Sequence, residues 1–361
     1  MKIALSGYYG FDNAGDEALL SAITSTIKKI EPSASFVVLS GYPGKTARLH
    51  GLRAVNRINP WSVTRELHSS DLLISGGGSL FQDVTGPFSL PYYISIVTLA
   101  LFLGKPVIFY AQGVGPINRR FSKFLMRLIA NRVNIITLRD EDSLKVLQAI
   151  GVTHPPVKVT ADPVFNLEPR DSDYESMQEL LQNHCPGTGK VIGVSVRKWA
   201  ALEGYQPQLA QVLDELVQEG YQVVFVPMDY PADVEESMRI ASLMTEPAAL
   251  IDSYLTSHQH VALISHLHLM IGMRLHALIF AASQEVLFKG ISYDPKIDSF
   301  LKQFGEKPLS GNVAEMSRQV NVLLADKNMQ EKIRQKAREF RARAEETAHL
   351  ALSLCQSEKM F

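Results

Sequence analysis

Arg274 and His276 stand two residues apart, just after an apolar run, Leu267 to Ile271, and a glycine, Gly272. They fall at the start of a second run, Leu275 to Ala282, rich in Ala and Leu. The first run has the length of a buried strand and the second that of a helix. Gly272 marks the turn, so both side chains are expected where a parallel strand ends and a helix begins, the edge at which open α/β sheets bind ligands. Backbone N–H groups at a helix start favour an anion, and a guanidinium adds a permanent charge. Histidine is the side chain suited to carrying a proton near neutral pH. The pair therefore reads as an anion pocket with one fixed cation, Arg274, and one proton carrier, His276. The blander reading is a surface arginine and a histidine satisfied in packing, because strand-to-helix turns recur in every α/β chain.

Other residues fit the same pattern. Val194-Ser195-Val196 brings Arg197 to the end of another strand, and Tyr293-Asp294-Pro295-Lys296 lies one strand further along, where Lys296 could close the pocket. Two arginines and a histidine converging on one crevice suit a small ligand with a carboxylate and a phosphate. Near the start of the chain, Gly7-Tyr8-Tyr9-Gly10-Phe11-Asp12-Asn13-Ala14-Gly15-Asp16-Glu17 follows the first strand. This is not a dinucleotide fingerprint, and two carboxylates at a helix start would oppose a pyrophosphate. Asn13, Asp16 and Glu17 suit hydroxyl groups better, as acceptors or a general base; the alternative is helix capping alone. Asp83, after Gly76-Gly77-Gly78, and Gln112, before Gly113-Val114-Gly115-Pro116, also leave strand ends, as polyol-binding groups or plain turn residues. His258, His260, His266 and His268 cluster on what reads as an exposed helix and its exit, with no carboxylate or Cys to complete a metal set. No metal site is expected.

These residues need a frame to hold them. At 361 residues the chain is too long for one small core, and two domains are the natural expectation. Strands and helices alternate from Lys2 onward, which signals doubly wound, mostly parallel sheets. The alternation gives an N-terminal Rossmann-like domain over 1–168, a polar, Pro- and Gly-containing linker over 169–190 and a second Rossmann-like domain over 191–326. A charged helix over 327–361 could pack back on the first domain, and two such domains would face each other across a cleft. The formal net charge of −1 supplies no global basic field for nucleic acid. Cys185 and Cys355 have no partner spacing, which points to a reducing compartment. The first apolar run is too short for a signal peptide. The most hydrophobic stretch, Tyr92 to Leu103, falls below the ~18–20 residues that span a bilayer. The expectation is a soluble, cytoplasmic protein, with peripheral contact at the inner face of the cell membrane left open.

Together these segments resemble the polysaccharide pyruvyl transferase family, and within it the bacterial cell-surface-anchoring branch. The likeness runs through Gly7-Tyr8-Tyr9-Gly10, Asn13-x-Gly15-Asp16-Glu17, Gly76-Gly77-Gly78, Gln112-Gly113-x-Gly115-Pro116, Arg139-Asp140 and Ala161-Asp162-Pro163. It ends with Gly272-Met273-Arg274-Leu275-His276 and Gly290-Ile291-Ser292-Tyr293-Asp294-Pro295-Lys296. One departure is Glu285-Val286-Leu287-Phe288-Lys289, where smaller, Pro-containing residues are expected. The resemblance implies a glycosyltransferase-B-like fold and transfer of pyruvate from phosphoenolpyruvate onto two sugar hydroxyls as a cyclic ketal. The implied acceptor is an N-acetylmannosamine-type sugar of a lipid-linked secondary cell wall polymer precursor, whose product anchors surface layers. It also implies that Arg197, Arg274, Leu275 and His276 hold phosphoenolpyruvate in the second domain, with no cofactor. On that reading His276 is the candidate acid, Arg197 and Arg274 hold the donor, and Asp16, Glu17 or Asp83 orients the acceptor or takes its proton. Two alternatives stand beside it. A sugar-nucleotide glycosyltransferase of the same fold would carry a Glu-x7-Glu pair after Arg274 in many retaining members, and none stands close to it here. A non-catalytic sugar-binding protein would not require the arginine–histidine pocket.

Overall fold

The computed structural model describes residues 1–357 apart from Thr85, Ala200, Ala201 and Glu203. The last four positions of the expected C-terminal helix, 358–361, lie outside the described residues. The chain divides into two compact units, Met1–Leu167 with Phe340–Phe361, and Glu168–Glu339.

Seven strands form the sheet of the first unit: β1 (Lys2–Tyr9), β2 (Ser35–Ser40), β3 (Arg53–Asn56), β4 (Leu72–Gly76), β5 (Val107–Gln112), β6 (Ile135–Leu138) and β7 (Val157–Val159). They lie in the order β3-β2-β1-β4-β5-β6-β7 and every neighbouring pair is parallel. Central strands read as unbroken apolar runs, such as Leu72-Leu73-Ile74, because both faces are covered. Helices α1 (Ala14–Ile30), α2 (Pro43–His50), α3 (Pro60–His68), α4 (Ser89–Phe102), α5 (Arg120–Ala130) and α6 (Glu141–Ala149) connect them. α3, α4 and α5 share one core with one side of the sheet, through Val63, Leu67, Val97, Met126 and Ile129. α1 packs on the opposite side through Leu20, Ile23 and Ile27. α2, β3 and α3 escape a reading by apolar periodicity. β3 is a four-residue edge strand with only partly buried side chains, and α2 and α3 bury only one and three residues each.

The second unit repeats the plan with α7 (Asp171–His184), β8 (Val191–Ser195), α8 (Tyr205–Gln218), β9 (Gln222–Phe225), α9 (Ala232–Ala241), β10 (Ala249–Leu250) and α10 (Ser257–Ser265). It continues with β11 (Leu269–Gly272), α11 (Leu275–Ser283), β12 (Leu287–Gly290), α12 (Pro295–Gln303) and α13 (Val313–Ala325). The strand order is β10-β9-β8-β11-β12, again all parallel. The stretch expected to be a linker is largely α7, which packs on α10 within this unit. Its composition is polar because only a narrow stripe, Asp173, Met177 and Leu181, is buried. The unusual Glu285–Lys289 segment is accommodated locally. Glu285 takes a left-handed turn at φ 61 and accepts from Arg334 Nε at 2.9 Å, while the buried Lys289 ammonium pairs with Glu306 at 2.8 Å.

The final helix, α14 (Lys327–Ser357), belongs to both units. Met329, Ile333 and Ala337 are buried in its first half. Ala348, Ala351, Leu352 and Cys355 join the α1-side core of the first unit, and the Phe340 ring lies 5.1 Å from that of Phe165. Cys185 and Cys355 are both buried and neither is in a disulfide.

Candidate functional site

In the second sheet, β8 and β11 are neighbours and the order of strands reverses beside them, the position at which doubly wound sheets open a crevice. Ser195 is in register with Gly272, so Arg197 and Arg274 leave adjoining strand ends. Arg197 donates from Nη1 to the Tyr293 hydroxyl at 3.0 Å. Its guanidinium lies 5.3 Å from the Trp199 ring centroid and 5.2 Å from that of Tyr293. Its Nε is buried and makes no hydrogen bond within the protein. A buried charged donor left in this way costs stability unless something accepts from it.

Arg274 is held differently from the free clamp expected of it. Nε and Nη2 form a fork on the two oxygens of Asp233, at 2.8 and 2.5 Å, and Nη2 also donates to Asp229 at 3.1 Å. Asp233, in the first turn of α9, further accepts from the backbone N–H groups of Met228 and Asp229. Burial pushes the Asp233 carboxyl above the usual carboxylate range, against the pull of Arg274. None of these three bonds uses Nη1 of Arg274. Tyr293 acts electrostatically on Arg274 as well as bonding Arg197, so it is the neighbour the two guanidiniums share.

His276 lies half-buried in the first turn of α11, its ring 6.1 Å from that of Phe280. No side chain caps this helix, so its positive end faces the same sheet edge. The Leu275 side chain is buried in the core and can offer a ligand only its backbone. Lys296 is turned back onto its own helix cap, with Nζ 3.2 Å from Asp294. Of the four histidines, His260 is not on an exposed face but buried, its ring nitrogens 3.1 and 2.9 Å from the carbonyl oxygens of Thr256 and Pro227. Among the described residues no group of three or more His, Cys, Asp or Glu is arranged to hold a metal ion.

The first unit separates its candidate residues by role. Asn13 caps α1, its Oδ1 accepting from the N–H of Gly15 and Asp16. Glu17 is buried with both oxygens engaged, one by the Gly10 N–H at 2.7 Å and the other by His50 Nε2 at 2.7 Å. Asp83 is likewise committed: its oxygens accept from the Asn118 and Arg119 N–H groups at 2.9 and 2.8 Å. Burial raises its carboxyl, and these bonds and the Ser122 hydroxyl bring it below the ordinary value. Glu17 and Asp83 therefore hold loops, each of their oxygens already accepting a bond from the protein. Gln112 donates to the Ser75 carbonyl at 2.9 Å, while its Oε1 is buried without a hydrogen-bond partner.

Asp16 remains at the edge. Gly77 and Gly78 both take left-handed backbone, at φ 69 and 74, and a Cβ on Gly78 would sit 3.2 Å from Asp16 Oδ1. The glycines let the loop after β4 close over this carboxylate. Asp16 acts electrostatically on the phenols of Tyr9 and Tyr93. Burial pushes Tyr93 up to about 12, against the pull of Arg57. The Arg57 guanidinium is 4.1 Å from the Tyr92 ring centroid and 5.2 Å from that of Tyr93. Arg57, Asp229 and Asp233 escaped sequence reasoning as functional groups, and the segment that holds Tyr293 was marked for Lys296 instead.

Residues 13–295 match the polysaccharide pyruvyl transferase family. The amylovoran biosynthesis protein AmsJ of Erwinia amylovora is 24% identical over 269 residues, which cover 70% of this chain and 64% of that protein. The chain thus spans less than two thirds of that relative's length. Among solved structures, a putative UDP-N-acetylglucosamine 2-epimerase from Listeria monocytogenes is similar at a TM-score of 0.70 and 13% identity, covering 99% of this chain and 96% of that one. HepE of Anabaena in complex with UDP-glucose is similar at 0.64 and 13% identity over 100% of both chains. The glycosyl transferase family 9 protein of Veillonella parvula is similar at 0.52 and 15% identity, covering 90% and 97%. These structural likenesses establish a shared fold of two Rossmann-like domains, of the glycosyltransferase-B-like kind.

Proposed function

Because the chain belongs to the polysaccharide pyruvyl transferase family, matched over residues 13–295, we propose that it moves pyruvate from phosphoenolpyruvate onto two hydroxyls of a sugar, forming a cyclic ketal and releasing phosphate. The acceptor on this reading is an N-acetylmannosamine-type sugar of a lipid-linked secondary cell wall polymer precursor, met on the cytoplasmic side of the membrane. The observation that carries the proposal is the Arg197–Tyr293–Arg274 group at the strand-order reversal, with a buried Arg197 Nε–H that donates to no acceptor in the protein. Arg197 Nε and Arg274 Nη1 supply donors for a carboxylate and a phosphate. His276 gives a proton to C3 of the enol. One hydroxyl oxygen adds to C2, the C2–O bond to phosphate breaks, and the second hydroxyl closes the ring. Of the two hydroxyl protons released, one replaces the proton spent on C3 and the other leaves with phosphate. Asp16, at the sheet edge of the first unit, is the proposed acceptor-binding carboxylate.

The deciding experiment incubates the protein with phosphoenolpyruvate and an N-acetylmannosamine-containing acceptor and measures phosphate. Release that depends on the acceptor and survives EDTA is expected. Nucleoside diphosphate release from a sugar nucleotide, with none of phosphate from phosphoenolpyruvate, would make the chain a glycosyltransferase instead. The roles of the first loop are separable too. Asp16→Asn is expected to lower turnover tenfold or more with phosphoenolpyruvate affinity unchanged. Glu17→Gln weakens the Gly10 and His50 contacts and should cost about 1–3 kcal/mol of stability, with turnover nearly kept. Equal turnover losses in both variants would assign the effect to loop geometry and not to the Asp16 carboxylate.

A further inference from the structure

Among the described residues the first unit exposes seven aromatic side chains, and four of them stand at the starts of helices: Trp61, 85% exposed, Phe88, 80%, Phe121, 64%, and Phe124, 60%. These four share an edge that Phe102, the last residue of α4, does not. Trp61 is in the first turn of α3, Phe88 immediately precedes α4, and Phe121 and Phe124 are in the first two turns of α5. Each of these helices follows a parallel strand, and all three pack in one layer on one side of the sheet. Their N-terminal ends therefore lie along the sheet edge that carries Asp16 and the Gly77-Gly78 turn. The loop leading into α5 is the one Asp83 holds through the Asn118 and Arg119 N–H groups.

Charge is concentrated on the same segment. Residues 84–139 contain seven Lys or Arg and no Asp or Glu, in a chain whose formal net charge is −1. Arg119, Arg120, Lys123 and Arg127 are exposed beside the two phenylalanines of α5. An open groove of about 550 Å³ runs alongside, its apolar wall formed by Ile117, Phe124, Val146 and Ile150 and its rim by Lys123 and Arg127. Aromatic rings with interleaved cations are the composition of an interfacial surface, rings at headgroup depth and charges on lipid phosphates. No described helix is long and apolar enough to cross a membrane, so such a surface would lie on a bilayer and not span it.

We infer that the edge formed by Trp61, Phe88, Phe121 and Phe124, with Lys123 and Arg127, docks on an anionic lipid bilayer. The groove beside α5 takes the end of an acyl chain whose phosphate meets Lys123 and Arg127. Docking there sets the Asp16 edge against the membrane surface, where a lipid-linked sugar is presented. It rests on the proposed function only in that last respect.

The test is co-sedimentation with vesicles of equimolar phosphatidylglycerol and phosphatidylcholine, and of phosphatidylcholine alone, with no donor or acceptor present. Binding to the anionic vesicles is expected, weakening with salt. Lys123→Gln with Arg127→Gln should loosen it about fivefold for each cation removed, and Phe121→Ser with Phe124→Ser should abolish it. All four side chains are exposed, so both variants are expected to melt like the parent. No binding to anionic vesicles overturns the inference, as does binding that neither variant changes. Self-association through this face, abolished by the Phe variant while vesicles are ignored, would make it a protein interface and overturn it equally. Vesicle binding by a protein that never releases phosphate from phosphoenolpyruvate keeps this inference and removes the proposed reaction.

Discussion

His276→Asn is expected to lower turnover about a hundredfold or more, the usual size of a lost general acid, while phosphoenolpyruvate affinity falls only modestly. Asn keeps the size and some of the hydrogen bonding of the imidazole but cannot deliver a proton. The position favours this outcome over unfolding. His276 is half-buried in the first turn of a helix whose packing rests on Leu275, Ala277, Leu278 and Ile279, all buried and all retained. Arg197→Ala provides the contrast: it removes charge-assisted hydrogen bonds, so affinity should fall about ten- to a hundredfold with less effect at saturation. Calorimetric titration of the donor beside steady-state turnover separates the two. If His276→Asn binds weakly yet turns over normally when saturated, His276 is a binding residue and the acid lies elsewhere.

Arg274→Ala should cost stability as well as function, on the order of 3–5 kcal/mol. Truncating a side chain at a sheet edge opens no large cavity, and by volume alone it would be tolerated. The fork on Asp233 changes that expectation. Asp233 is 1% exposed in its side chain, and without Arg274 it is a buried carboxylate with only backbone donors and the like charge of Asp229 beside it. Asp233→Ala strands Arg274 in the same way, so the double variant should cost less than the two losses added. The sign of the pH dependence is fixed. In Arg274→Ala the folded state holds a proton on Asp233 more tightly than the unfolded chain does. Its stability therefore rises as pH falls through the folded-state pKa toward the unfolded one, and the deficit shrinks in acid. Urea unfolding at several pH values measures this. A deficit that is constant with pH, or a double variant showing the full sum, would mean the fork contributes no coupling.

Much of the architecture can be read from residue order because buried parallel strands announce themselves. Leu72-Leu73-Ile74 and Leu269-Met270-Ile271 admit few other readings, and once strands are placed their ends are placed. That is why Arg197, Arg274 and His276 could be assigned to one edge. What failed was whatever lacked an apolar stripe: β3, with Arg53 and Asn56 in four residues, and α7, which buries three of fourteen. Partnerships failed too. Nothing in the segment around Glu17 names His50, and nothing around Arg274 names Asp233, forty-one positions away. Motif spacing marks where a carboxylate stands but not which of its oxygens is already occupied, so Asp16, Glu17 and Asp83 could be told apart only in three dimensions.

The α14 helix has a bearing on how the protein is made. Ala348, Ala351, Leu352 and Cys355 complete a core whose other side is Ile3, Leu5, Ile23 and Val38. A ribosome delivers Ile3 before, and Leu352 only after, all of Glu168–Glu339. Of these two units, the one whose strands emerge first is thus finished after the other. Until then an apolar strip along its α1 side waits in the nascent chain, which lengthens its dependence on holding factors and exposes it to premature sticking. Stalled or prematurely terminated copies carry that unfinished strip, a mark by which quality control could sort them.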